Sequence, residues 1–292
     1  MKYKNGSAFR RALEDRLRAQ SQIDGLPLFR LRKLVAFDRL LARLNATSPD
    51  AWVLKGGFAL QLHFGVRSRT TKDIDLLMRQ SASPAWDMLR KAGATELGDW
   101  FAFEIGRPQA GALGDHGGRR FPVHSLLDSR TFERFHVDVG TGDPILETPE
   151  VLSTPDLLAF ADIDPVSFPT YPLTQQIAEK LHAYTRKHEG TKSTRVRDLV
   201  DLLLIASRST FDAGKLLAAI QATFEARATH DLPSQLPESP SKWGPPFRRS
   251  ADELELPWND LDEGAEAARG FIDPVLKNSD IYQWDPESWS WR

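Results

Sequence analysis

Asp73 and Asp75 stand one residue apart in the run Asp73-Ile74-Asp75-Leu76-Leu77, which is otherwise apolar. Apolar density of this kind predicts a strand, and alternate side chains of a strand share a face. The two carboxylates therefore point the same way, with Cα atoms about 7 Å apart. Like charges so placed repel unless one is protonated or a cation lies between them. The chain must either set this strand at an exposed edge or supply a counter-ion. A hard divalent ion such as Mg²⁺ suits a site made of oxygen ligands. There is no cysteine, which excludes disulfides, thiolate nucleophiles and Cys-bound zinc or iron–sulfur centres.

The residues upstream bear on the same chemistry. Trp52-Val53-Leu54 predicts a short strand broken by Gly56 and Gly57, and Phe58 to His63 predicts a helix start. A glycine pair between strand and helix is either a plain tight turn or a cradle for phosphate, where backbone N–H groups and a helix N-terminus meet an anion. Lys55, Arg67, Arg69 and Lys72, interleaved with Ser68, Thr70 and Thr71, suit phosphate oxygens and would equally serve as ordinary salt-bridge formers. A third acid, Asp138, lies in the apolar stretch Phe135-His136-Val137-Asp138-Val139. If that strand neighbours the first, the three carboxylates suit two metals about 3.5 to 4 Å apart for in-line displacement at phosphorus. Otherwise Asp138 is a turn acid held by the Gly140 to Gly142 loop.

At 292 residues, with 41% hydrophobic and 27% charged residues, the chain is expected to fold as two lobes of α/β (α+β) class. Residues 1–148 form a mixed-sheet lobe with N-terminal helices. Residues 149–292 form a mainly helical lobe with a proline-rich arm and a C-terminal tail. Ser7 is placed to cap a helix bearing Phe9, Leu13 and Leu17, and Leu34, Phe37, Leu41 and Leu44 mark a second. Both carry many basic residues, among them Arg10, Arg11, Arg30, Arg32, Lys33, Arg39 and Arg43, which read either as a solvated surface or as phosphate contacts. Pro84 to Ala92 predicts a helix capped by Ser83, with Pro84 at its first position and Gly93 as its terminator. Phe101 to Ile105 and Phe121 to Leu126 predict strands around a glycine-rich loop from Gly106 to Gly118.

Beyond Pro149, prolines 155, 165, 169 and 172 punctuate a connection. Three helices are predicted over 173–186, 196–207 and 213–226, then a proline-rich arm over 232–247 and a last helix over 260–272. Tyr282, Trp284, Trp289 and Trp291 either stack bases or pack the tail into a groove. His63, His136 and His182 read as hydrogen-bonded or solvent-facing, with no specific role. The net charge of −2 gives no global pull toward nucleic acid, and seven acids without a Lys or Arg fall between Ala251 and Glu266. No apolar run approaches the roughly 18 residues of a membrane span, and Met1 to Gly25 lacks a signal-peptide core, so a cytoplasmic protein without membrane attachment is expected.

The ordered stretches Leu54-Lys-Gly-Gly57, Arg67-Ser-Arg-Thr-Thr-Lys-Asp-Ile-Asp75, His136-Val-Asp-Val-Gly140, Ala178-Glu-Lys-Leu-His-Ala-Tyr184, Arg195-Val-Arg-Asp-Leu-Val-Asp-Leu-Leu-Leu204 and Thr223 to Pro233 cover most of the chain. Together they resemble the AbiEii/AbiGii-type, or MenT-like, nucleotidyltransferase toxins. The resemblance implies a fold related to the DNA polymerase β-like nucleotidyltransferases and a nucleoside triphosphate substrate. It also implies Mg²⁺, which Mn²⁺ could replace, and an RNA acceptor such as the 3′ end of tRNA, where addition blocks aminoacylation. A cognate antitoxin is implied as a partner. Asp73 and Asp75 match the family's metal pair, Lys180 its lysine and Asp201 its last acid, while Asp138 falls where the wider superfamily has a third carboxylate. The interval from Gly57 to Asp73 is longer than the general superfamily pattern.

The residues support these transfers in part. Lys180 shares a helix with Ile177, Leu181 and Tyr184, so its ammonium either seeks an anion or reaches to solvent. Asp201, flanked by Val200 and three leucines, needs a partner: a structural ion pair with Lys180, or a role in positioning Lys180 or the acceptor hydroxyl. Arg186, Lys187, Lys192, Arg195 and Arg197 surround the intervening turn, where an RNA backbone or the triphosphate could lie. Gly56, Gly57, Arg69 and Lys180 would hold phosphates. Two other functions compete: a nucleotidyltransferase acting on a small molecule, and a non-catalytic RNA- or protein-binding module on the same fold.

Overall fold

The computed structural model describes residues 1–65, 69–79, 84–108, 118–186 and 195–292. Arg67, Ser68, Ser83, Lys187, Lys192 and most of the glycine-rich run after Gly106 lie outside these residues. The described chain divides into two compact units. The first comprises Met1–His63, Thr70–Gly142 and Glu150–Thr170, and the second Phe64–Arg69, Asp143–Pro149 and Tyr171–Arg292. The expected division after residue 148 falls inside a short segment of the second unit, and the chain returns to the first for residues 150–170.

The first unit is built on a mixed sheet of β1 (Trp52–Lys55), β2 (Asp73–Met78), β3 (Phe101–Ile105), β4 (Arg119–Leu127), β5 (Arg130–Thr141), β6 (Glu150–Ser153) and β7 (Ser167–Thr170). Their order is β3-β4-β5-β2-β1-β7-β6. The β2/β5 and β1/β7 pairs are parallel, and the others antiparallel. Helices α1 (Gly6–Asp24), α2 (Leu28–Thr47), α3 (Gly56–Phe64) and α4 (Ala85–Gly93) complete it. Alternation puts Ile74 and Leu76 of β2, Phe121 and Val123 of β4, and Phe135 and Val137 of β5 into the core with Phe9, Leu13, Phe37 and Leu89. The residues between them in sequence occupy the other face.

The structure alters several boundaries for identifiable reasons. Asn5, not Ser7, caps α1, its side-chain oxygen accepting from the Ala8 N–H at 2.8 Å. Pro84 precedes α4 as its N-cap, and Gly93 is the helix's last residue. Strands β4 and β5 are longer than predicted because Asp128 and Ser129, at φ 53° and 57°, turn the chain in a tight hairpin that no Asn-Gly or Gly-Gly signal announced. Residues 150–170, read as a proline-punctuated connection, contain β6 and β7, which together form one margin of the sheet. Pro169 fits within β7 there.

Arg11, Arg16 and Arg18 of α1 are exposed, but Arg10, Arg32, Arg39 and Arg43 are neither a solvated coat nor open phosphate ligands. Arg10 donates to the carbonyls of Leu127, Arg130 and Thr131 and so closes the β4–β5 turn. Arg32 bridges Glu14 and Glu133 and donates to Phe132 O. Arg43, with no solvent exposure, directs its guanidinium donors at Asp99 and the carbonyls of Thr95, Arg39 and Phe101. Arg39 pairs with buried Asp38, which also accepts from the Thr154 hydroxyl. Burial raises the Asp38 pKa above its ordinary value despite Arg39.

The second unit contains helices α5 (Leu173–Thr185), α6 (Val196–Ala206), α7 (Ala213–Arg227), α8 (Gly244–Glu253) and α9 (Leu261–Leu276), with short strands β8 (Phe211–Asp212), β9 (Gln283–Asp285) and β10 (Ser290–Trp291). Its first three helices match prediction within two residues. Helix α8 begins within the last residues of the expected proline-rich arm: Pro245 and Pro246 occupy its first turn, where no intrahelical N–H is needed. Arg227 at the end of α7 pairs with Asp143 and Glu179. The tail packs inward: fully buried Trp284 donates its indole N–H to Ala206 O, Trp289 to Ala267 O and Trp291 to Phe271 O. Tyr282 is 70% exposed. Among the described residues no helix is long and apolar enough to cross a membrane.

Candidate active site

Register decides what the acids of the first unit share. Parallel pairing of β2 with β5 sets Asp73 opposite His136 and Asp75 opposite Asp138. Antiparallel pairing adds Lys55 opposite Asp75 from β1, and Arg120 opposite Asp138 from β4. Paired residues point to the same side of a sheet, so Asp73, Asp75, Asp138, His136, Arg120 and Lys55 occupy one face, opposite the core. The three acids do come together.

Asp138 has a definite partner there. The Arg120 guanidinium grips it with two parallel bonds, Nε to Oδ1 at 2.8 Å and Nη2 to Oδ2 at 2.6 Å, and the same Nη2 lies 3.7 Å from Asp73 Oδ2. This hydrogen bonding to Asp138 and the nearby negative charges raise the Arg120 pKa against the opposing effect of burial. His136 Nδ1 is 3.3 Å from Asp73 Oδ1. Neither Arg120 nor this role for His136 was found in the sequence. Alternation back from Asp138 points to His136, but Arg120 is visible only once the β4 register is known.

Gly56 adopts φ +67°, at the junction of β1 and α3. A Cβ built there would lie 2.1 Å from Asp75 Oδ2, so the Asp75 carboxylate rests directly on the glycine backbone. The glycine pair is thus more than a turn: its first member makes room for one of the acids. Gly57 is buried in the first turn of α3. Thr71 is buried and its hydroxyl donates to Asp73 O at 3.1 Å, whereas Lys72 is exposed.

The predicted residues of the second unit form their own cluster. Asp201, fully buried on α6, accepts from Arg69 Nε at 2.9 Å and Nη2 at 3.0 Å, and from Lys180 Nζ at 2.5 Å. Asp198, in the first turn of α6, lies 3.9 Å from Lys180 and pairs with Arg195. Burial alone would raise the Asp201 pKa, but Arg69 and Lys180 outweigh it and hold the carboxyl below its ordinary value. His182 is buried and bonded to Thr229, and His63 is mostly buried beside Glu150 with its pKa lowered by burial, as expected of structural histidines.

The AbiEii model, described as a nucleotidyl transferase toxin of a type IV toxin-antitoxin system, matches residues 39–276. The chain belongs to the AbiEii nucleotidyltransferase toxin family. Among solved structures it is similar to the nucleotidyltransferase toxin MenT4 of Mycobacterium tuberculosis, with 21% identity, a TM-score of 0.47, and coverage of 83% of this chain and 90% of that one. It is also similar to JHP933 of Helicobacter pylori, with 15% identity, a TM-score of 0.44, and coverage of 84% and 92%. No curated protein matches the chain.

An AbiEii nucleotidyltransferase acts with a nucleoside triphosphate, and the donor set here can be compared with the divalent metal that its family generally uses. Asp73 and Asp75 offer hard carboxylate oxygens on one face, and the Asp73 side chain is 30% exposed. Asp138 is instead committed to Arg120. Among the described residues no set of three His, Cys, Asp or Glu side chains is arranged as a metal site. The β2 pair therefore suits a divalent cation, while the third acid carries a built-in cation of its own.

Two outcomes follow. Gly56→Ala should cost about 1–2 kcal/mol from the left-handed backbone alone, and should also push Asp75 aside. Thermal unfolding and a structure of the variant check this, and an unmoved carboxylate would contradict it. Asp201→Asn should lose about 3–5 kcal/mol by leaving Arg69 and Lys180 without their anion. Because the folded Asp201 pKa is depressed, its stabilisation is present above the unfolded value of about 3.9 and is lost as pH falls through the lower folded value. Urea titrations across acid pH should show that acid loss in the parent and a flatter limb in the variant.

Proposed function

We propose that this AbiEii toxin is a Mg²⁺-dependent enzyme that transfers a nucleoside monophosphate from a nucleoside triphosphate to RNA. The proposed acceptor is the 3′ end of tRNA, and the consequence is a block of translation. A cognate antitoxin is its partner and the cytoplasm its place of action. The observation that carries this reading is the shared face of Asp73, Asp75 and Asp138 beside the Gly56 turn. Asp73 and Asp75 would hold the metal, with Asp138 as the third acid. When bound, the metal supplies charge neutralisation and lowers the pKa of an acceptor hydroxyl.

The chain's own groups account for the rest. Lys55, Gly56, Gly57, Thr71 and Lys72 lie around the acids and are proposed to receive phosphate oxygens, with the α3 N-terminus contributing its free N–H groups. In the second unit, Arg69 and Lys180 share Asp201 and are proposed as further phosphate-binding cations. Asp201 fixes both cations in place, so it is a positioning residue. Pyrophosphate leaves as the 3′ oxygen bonds to the α-phosphorus, and catalysis consists mainly of alignment and charge stabilisation.

Asp73→Ala should abolish transfer of label from an α-labelled nucleoside triphosphate into total RNA while the protein stays folded. Full activity in that variant would remove the carboxylate site. Sizing the labelled products distinguishes tRNA from other RNA, and label found only on small molecules would favour the small-molecule alternative. Arg120→Ala should raise Mn²⁺ affinity about tenfold or more, equivalent to about 1.4 kcal/mol, because the guanidinium no longer neutralises Asp138 and Asp73. Electron paramagnetic resonance titration measures this directly, and an unchanged affinity would show that Arg120 does not compete with a cation.

A further inference from the structure

The face of the sheet that carries the acids continues past Asp73 into an open groove of about 760 Å³, lined by Lys72, Arg120, Pro122, His124, Arg134 and His136 among others. It lies wholly within the first unit. Arg134 and His136 precede Asp138 at two-residue steps on β5 and so share its face. Lys72 and Arg134 are exposed, and neither forms an ion pair with another described residue. They differ in this from Arg10, Arg32, Arg39 and Arg43, whose charges are spent on carboxylates and strand-end carbonyls. Glu104, the acid on the groove's far wall, lies 3.1 Å from His124 Nδ1.

The order of strands gives the groove a direction. Gly56, Gly57 and the start of α3 follow β1, on one side of β2, while the groove extends over β5, β4 and β3 on the other. With the triphosphate at the glycine turn, an acceptor must approach Asp73 from the opposite side, along the groove. From Asp73 to Arg134 is one strand spacing across and one two-residue step along, roughly 5 and 7 Å. Two unmatched cations at that range suit the last phosphates of a strand whose terminal hydroxyl reaches the carboxylates. The rings of His124 and His136 line the same groove and offer faces on which bases can stack.

We infer that this groove is the acceptor channel, in which Lys72 and Arg134 hold the backbone phosphates next to the 3′ terminus of a single-stranded RNA end. The inference rests on the transferase reading above and names the surface that delivers its acceptor. An acidic protein segment would also satisfy two cations, but it has no need to end at Asp73, whereas an acceptor strand must.

The test uses the full chain with Lys72→Ala and Arg134→Ala combined, both at exposed positions, and Arg249→Ala, in the second unit, as control. Binding of a single-stranded RNA of about 12 nucleotides, within the range that one such groove covers, is followed by fluorescence anisotropy between about 50 and 200 mM salt. The double variant should bind at least tenfold more weakly, and the slope of log K against log salt should flatten by about 1.4, as two phosphate contacts to a single strand require. Nucleoside triphosphate binding by the Arg134→Ala single variant, measured in parallel, should be unchanged, and circular dichroism reports that the double variant is folded. An unaltered RNA affinity and slope overturns the channel, and it leaves the transferase reading standing if the parent still labels RNA. RNA binding that depends on both cations, in a parent that labels no RNA, leaves the groove an RNA site but overturns it as an acceptor channel, together with the transferase reading. Loss of an acidic protein's binding with RNA binding intact assigns the groove to a protein and also overturns the proposal.

Discussion

The parallel pairing of β2 with β5 is the constraint to which the first unit responds. It places Asp75 and Asp138 on adjacent strands, about 5 Å apart at Cα, with Asp73 one step along. Two carboxylates at that distance repel by about 3 kcal/mol at an effective dielectric constant near 20. The neighbourhood relieves this in stages. Arg120 pairs with one acid and leans toward another, His136 stands against Asp73, and Lys55 faces Asp75 across the β1 register. A nucleotidyltransferase needs such a store of negative charge, and the fold holds it by surrounding it with cations from strands on both sides.

The positive charges of the chain fall into two groups that the net charge of −2 conceals. One group is internal. Arg10, Arg32 and Arg43 tie the helices to the sheet by donating to backbone carbonyls of its strands, a task suited to a planar group with five donors. Arg69 and Lys180 do comparable work around Asp201. The other group, Lys72 and Arg134, stands open beside the acids. The structural arginines are tied to fixed acceptors, whereas the cations of the groove keep their charge uncommitted until a phosphate arrives.

Much of this organisation could be read from the sequence, and the failures have physical causes. The apolar run with Asp73 and Asp75, the strand at Trp52 and the first three helices of the second unit carry strong local periodicity, and each was placed within a few residues. The meeting of Asp75 with Asp138 was readable only as a condition, because strand pairing is set by residues far apart in sequence. Arg120 was missed for that reason: its partner is 18 residues away, across a hairpin whose Asp128-Ser129 turn lacks the usual glycine. Strands β6 and β7 were hidden by prolines that are tolerated beside the sheet's margin. Arg10, Arg32, Arg39 and Arg43 were misread because a helical wheel shows which face a side chain takes, but not what waits opposite it.

Trp284 links two parts of the second unit that are made far apart in time. Its indole N–H seals the carbonyl of Ala206, 78 residues earlier in the chain, and its ring packs with Phe271, Trp289 and Trp291. At a synthesis rate of about 5–20 residues per second, the end of α6 would leave the ribosome roughly 4 to 16 s before the residue that covers it. During that interval the C-terminal face of α6 has only water or a chaperone to shield it. Vectorial synthesis, and not the intrinsic folding rate of the helices, would then set the earliest moment at which this unit can close.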